Sequence, residues 1–188
     1  MRVRAEFIDR ARTVAVARLA MLGVIALLVA VPARAVPEGS PAAAEALATC
    51  HRAADLTGDA RDELLVRSLD LAKAAVAANE RDALGHYAMV CTIGKQLENG
   101  GAGFGQLVGL YRLRRALDKT LELAPNDADT LTAKGALLVR LPRLLGGDPA
   151  EAAVLLRRAL VAEPENGTAK CYLAAAERGS ADADDPHC

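Results

Sequence analysis

The chain has no tryptophan, only three tyrosines and two phenylalanines in its 188 residues. That leaves too few aromatic faces for a platform that stacks successive nucleobases. An excess of positive charge is missing as well. After Ala35 there are 17 Lys and Arg against 22 Asp and Glu. A mildly acidic chain lacks the electrostatic footprint for nucleic acid or anionic lipid. No window alternates apolar and polar residues with β-branched enrichment, so strands are not expected. There is no Gly-x-Ser-x-Gly elbow and no His-Glu-x-x-His helix, the arrangements that expose a nucleophile or hold a catalytic zinc. After Ala35 the serines are Ser40, Ser68 and Ser180, which fall in a linker, a helix contact and a tail. No nucleophile, base and orienting group can be assembled from them. The sequence points away from an enzyme and asks for no cofactor.

Long apolar runs are scarce too. The one run, Leu19 to Val31, follows Arg2, Arg4, Arg10, Arg12 and Arg18 and precedes Pro32-Ala33-Arg34-Ala35. A basic start, a short apolar core and an A-x-A site describe a secretory signal peptide cleaved after Ala35. The run is shorter than the roughly 20 residues a spanning helix needs. Residues 1–35 are therefore expected to direct export, to the periplasm of a bacterium, with no stable membrane insertion after cleavage. An uncleaved signal anchor in the inner membrane is the alternative. Cys50 is the first cysteine, too far downstream for a lipid anchor.

What is abundant is alanine and leucine at helical spacing. Residues 36–41 form a linker, 42–178 a helical domain and 179–188 an acidic tail. The periodicity predicts helices over about 42–56, 61–79, 82–98, 105–123, 127–141, 149–162 and 166–178. Thr57-Gly58-Asp59 divides the first pair. Asn79 to Asp82, Pro125-Asn126-Asp127 and Pro164-Glu165-Asn166 end later helices. Proline cannot continue a helix, and Asn or Asp then caps the next. Gly146-Gly147-Asp148-Pro149 ends one helix and opens another in the same way.

Two stretches repeat one pattern: Leu113-Arg-Arg-Ala-Leu-Asp-Lys-Thr-Leu-Glu-Leu-Ala-Pro125, and Leu155-Leu-Arg-Arg-Ala-Leu-Val-Ala-Glu-Pro164. A recurring helix with a recurring ending marks repeat architecture. In 128–164 the repeating positions are Leu131, Gly135, Leu138, Ala152, Leu156, Ala159 and Pro164. The preceding unit supplies Leu84, Tyr87, Ala88 and Cys91, then Leu113, Leu117, Thr120 and Pro125. A first unit supplies Leu47, Cys50, His51 and Ala54, then Ser68, Ala72 and Ala75, with Glu80 in place of proline. This resembles the tetratricopeptide repeat, in which small residues sit where the helices of a hairpin touch. Lys134, Leu113 and Thr120 depart from the motif, and the units are longer than the regular repeat. The irregular form is similar to exported bacterial members of the superfamily, among them the T component of TRAP transporters. The resemblance implies an all-α solenoid of about three hairpins, closed by a capping helix near Tyr172.

Four cysteines in an exported chain invite disulfides. In the repeat arrangement Cys50 and Cys91 sit on neighbouring first helices, and Cys188 can reach back to Cys171. The expected bridges are Cys50–Cys91 and Cys171–Cys188. The alternative for the first pair is simple burial. Cys50-His51 and His187-Cys188 lack the spacing of a zinc site, so no metal is expected. The glycine-rich stretch Asn99 to Gln106 precedes a helix, but no strand leads into it and no Gly-Lys-Ser/Thr follows. It reads as a hairpin loop, with Phe104 folded back onto the core. Arg112, Arg115 and Lys119 read as a solvated basic face.

The resemblance implies a scaffold that binds a protein or peptide on its concave face, lined by the first helix of each hairpin. That mapping puts Arg52, Asp55, Met89, Thr92 and Arg140 there, with Gln96 at the edge. The TRAP-type likeness implies a second possibility, a transporter-associated component that handles a small hydrophobic ligand. A self-assembling structural module, a homo-oligomer, is the third.

Overall fold

Residues 39–98 and 104–179 are described by the computed structural model, all of them within the unit Val36–Cys188. The expected signal peptide, half of the linker (36–38), the glycine loop at 99–103 and the tail from Ser180, with Cys188, lie outside the described residues. Every regular element among the described residues is helical. They are α1 (Pro41–Ala54), α2 (Gly58–Ala78), α3 (Ala83–Glu98), α4 (Phe104–Leu123), α5 (Ala128–Arg140), α6 (Pro149–Ala162) and α7 (Gly167–Arg178). A short 3-10 turn, Arg143–Leu145, follows α5. All-α structure is thus as the sequence predicts, and each expected helix is present. The first two boundaries differ. α1 stops at Ala54, two residues before the predicted end, and α2 already starts at Gly58.

The starts follow the capping rule. Ser40 accepts from the Ala43 amide, Asp127 from Thr130, Asp148 from Ala150 and Glu151, and Asn166 from Ala169. Asp82 does more. Its Oδ1 accepts the Gly85 amide at 2.9 Å and caps α3. Its Oδ2 accepts the Ser40 amide at 3.0 Å and so ties the entry of α1 to the start of α3. The carboxyl is buried. Burial pushes its pKa up, but the Ser40 and Gly85 hydrogen bonds and nearby His86 hold it below the usual carboxylate range.

Each helix packs on the next along the chain. In addition α1 lies against α3, and α5 against α7. Alanines make the first of these approaches close: Ala46, Ala72 and Ala88 meet from α1, α2 and α3. Beside them Ser68 Oγ donates to the Ala46 carbonyl at 2.8 Å and lies 2.6 Å from Thr92 Oγ1. Buried hydroxyls are tolerated because each has a partner. Cys50 and Cys91 are joined, with Cα atoms 6.3 Å apart, which fastens α1 to α3. The second core, under α5, α6 and α7, is built on Leu131, Leu138, Leu156, Ala159 and Tyr172. There Gly135 lets α6 approach: a Cβ at this position would lie 2.6 Å from Leu156 Cγ. Between these two cores a third, built on Leu69, Val90, Ile93, Leu113, Ala116 and Leu117, receives Ala133 and Leu137 of α5 at its margin. The α3 and α5 backbones do not approach closely, and α4 meets α5 only lightly.

Candidate binding cleft

The parting of α3 and α5 leaves a cleft of about 540 Å³, walled on its third side by α4. Tyr87, Val90 and Leu97 line it from α3, Leu107, Leu110, Leu113 and Leu117 from α4, and Ala133, Ala136 and Leu137 from α5. Leu141 and Leu145 close one end. α3 and α4 approach closely on one side because residue 109 is glycine: a Cβ there would lie 2.7 Å from Leu97. The walls are thus almost wholly apolar, and the volume is that of a small-ligand site.

Four polar side chains stand at the lips: Lys95, Glu98, Gln106 and Arg140. Glu98 is taken up by Arg61, 3.3 Å away. Gln106 donates to the Leu97 carbonyl at 3.4 Å. Arg140 lies over the Tyr172 ring, its guanidinium carbon 5.5 Å from the centroid. With Glu98 neutralised, the lips carry a net positive charge from Lys95 and Arg140. Inside the cleft the Tyr87 phenol is pushed well up, first by burial and then by Asp129, Asp127 and Glu163. It stays protonated and polar without charge. The Tyr172 phenol is also raised, by burial, with Arg140 working against the shift.

A wider hollow of about 780 Å³ runs along the outside of α2, past Asp59, Asp62, Val66, Arg67 and Asp70. All its lining comes from one helix, so it is open surface and brings no groups together.

Of the residues expected on a concave face, Arg140 lies at the cleft lip. Gln96 is exposed on α3. Arg52 is exposed and donates to Thr49 Oγ1 at 2.9 Å, and Asp55 is exposed at the end of α1. Met89 is half-buried and packs against the core. Thr92 is a correction: it is fully buried, bonded to Ser68 and to the Ala88 carbonyl, and cannot face a partner. Its polarity serves an interior hydroxyl pair. Phe104 is a second correction. It opens α4 and is 82% exposed instead of folding back. Among the cysteines, the Cys50–Cys91 bridge forms as expected, whereas the expected Cys171–Cys188 bridge involves a residue outside the described ones. Among the described residues, no group of three His, Cys, Asp or Glu is placed to hold a metal ion. Nor is any described helix long and apolar enough to cross a membrane.

The chain matches no protein-family model, no curated protein and no solved structure.

The cleft itself was missed in the sequence. Leu97 and Leu107 fall in the stretch, about 97–109, where the sequence departs from the expected repeat length, and Leu110 follows it directly. Excess leucine in an insertion is the signal that marks them.

Proposed function

We propose that the chain is a non-catalytic binding protein whose α3–α4–α5 cleft takes an apolar ligand with an anionic head, of the size and chemistry of a fatty acid. The observation that carries this reading is the leucine-lined cleft with Lys95 and Arg140 at its lips. Apolar walls provide the driving force for a hydrocarbon tail, at roughly 25 cal/mol per Å² removed from water. The two cations supply the direction in which it lies.

The scaffold in this proposal is a tetratricopeptide-like solenoid of three hairpins, α1–α2, α3–α4 and α5–α6, with α7 as cap. Small residues at the hairpin contacts support it: Ala88, Ala152 and Ala159 are fully buried. So do the first-helix pairings α1–α3 and α5–α7. The departure from regular stacking, between α3 and α5, is where the ligand site lies. Export through residues 1–35 would place the protein in an envelope compartment, where amphiphiles must be carried through water.

The reading is tested with dansylaminoundecanoate, a fluorescent fatty-acid analogue. Saturable binding is expected, with loss on Leu110→Gln or Leu137→Gln. Both positions are only partly buried, so the fold tolerates them.

A further inference from the structure

The first turns of α4 carry apolar residues on the wrong side. Phe104, Leu107, Val108 and Tyr111 follow the i, i+3, i+4, i+7 spacing of one helical face, yet all four are exposed, Phe104 by 82% and Tyr111 by 62%. Leu144, in the 3-10 turn, is 99% exposed. The turn is held to α4 by the Arg114 guanidinium, which donates to the Leu145 carbonyl. Leu107 and Leu145 both border the cleft, so stripe and turn lie at the same cleft mouth. A cluster of this kind marks an interaction surface.

Charge is segregated to the same place. From Phe104 to Leu117, and from Arg140 to Gly147, the chain holds five arginines and no Asp or Glu. Arg112, Arg115 and Arg143 are exposed and have no ion-pair partner among the described residues. The acids that border this corner are already engaged: Glu98 with Arg61, Asp118 with Lys134, and Asp148 as the cap of α6.

From these two observations we propose that this corner docks on an anionic lipid bilayer. An aromatic and aliphatic stripe on a convex helix, flanked by cations, suits a planar surface of acyl chains under negative headgroups. Apart from Leu107, which borders the cleft, the stripe is a single exposed helix face. Docked this way, the cleft mouth at Leu107 and Leu145 faces the lipid. The inference stands on the stripe and its arginines, and does not require that the cleft bind a ligand.

The absence of tryptophan makes the test specific. Phe104→Trp and Val161→Trp are made in the full chain, each giving a single reporter; Val161 is exposed on α6 and away from the stripe. Vesicles of phosphatidylglycerol and phosphatidylcholine are added, then vesicles of phosphatidylcholine alone. The expected result is a blue shift for Phe104→Trp on the anionic vesicles, quenched by brominated acyl chains, and none for Val161→Trp. Adding Arg112→Gln and Arg115→Gln should weaken binding roughly 25-fold, about fivefold for each arginine near an anionic surface. No shift for Phe104→Trp overturns the proposal. So does an equal shift in both reporters, which assigns adsorption to residues elsewhere. A shift with an acidic amphipathic peptide but not with vesicles overturns it in favour of a polypeptide partner.

Discussion

Arg140 at the end of α5 stacks on Tyr172 of α7, guanidinium over ring, 5.5 Å to the centroid. The contact is worth about 0.5–1 kcal/mol at an exposed position. Its larger effect is directional, because it fixes one of the two cations at the cleft lip. Arg140→Gln should lower affinity for dansylaminoundecanoate roughly fivefold, about 1 kcal/mol for an exposed ion pair. Its methyl ester, with no head charge, should bind both forms alike. A loss that is equal for acid and ester would mean that Arg140 supports the wall and does not read the head.

The bridge between Cys50 and Cys91, separated by 41 residues, joins α1 to α3. Closing a loop of this size stabilises by about 3–4 kcal/mol in the chain-entropy account. Cys50→Ala/Cys91→Ala should show that loss in a denaturant titration. Non-reducing peptide mapping of the native protein should recover the linked pair, and free thiols at both positions would remove the clamp from the account.

Gly135 and Ala159 are tightly packed positions of the core under α5, α6 and α7. Leu156 leaves no room for a Cβ at Gly135, and Ala159 is fully buried. Gly135→Ala and Ala159→Leu should each overpack this contact and cost roughly 1–3 kcal/mol. The check is a lowered denaturant midpoint with an unchanged slope.

Asp82 makes stability depend on acid. A carboxyl whose folded pKa lies below its unfolded value of 3.8 stabilises fully above that value. The contribution is lost as pH falls through the folded pKa, where both states are protonated. Asp82→Ala leaves the Ser40 and Gly85 amides without their acceptor, at about 1–3 kcal/mol for the buried groups. The gap between wild type and variant should be widest at neutral pH and narrow below the unfolded value. A gap independent of pH would show that the charge on Asp82 contributes nothing.

Much of the fold was legible in the sequence because its punctuation is chemical. Pro125 and Pro164 cannot continue a helix, and Asp127, Asp148 and Asn166 have side chains that satisfy the amides of the next one. The bridge was legible because cysteines in an expected exported chain invite pairing, and Cys50 and Cys91 fall on the predicted helices that become α1 and α3, which pack side by side. The cleft was not, because it depends on how far α3 and α5 part, and periodicity records only which face of a helix is apolar. Thr92 misled for a related reason. A hydroxyl reads as surface in a sequence, but here Ser68 reaches it across the helix contact. Phe104 misled in the other direction: an apolar residue beside glycines reads as core until the helix that begins there turns it outward.

The central claim is that the α3–α4–α5 cleft is the binding site, and titration of the full chain with dansylaminoundecanoate tests it most directly. The account predicts saturable binding at one site per chain, abolished by Leu110→Gln with helicity unchanged by circular dichroism, and retained in Leu144→Ser outside the cleft. Undiminished binding in folded Leu110→Gln, or no saturable binding by the wild-type chain, would contradict it.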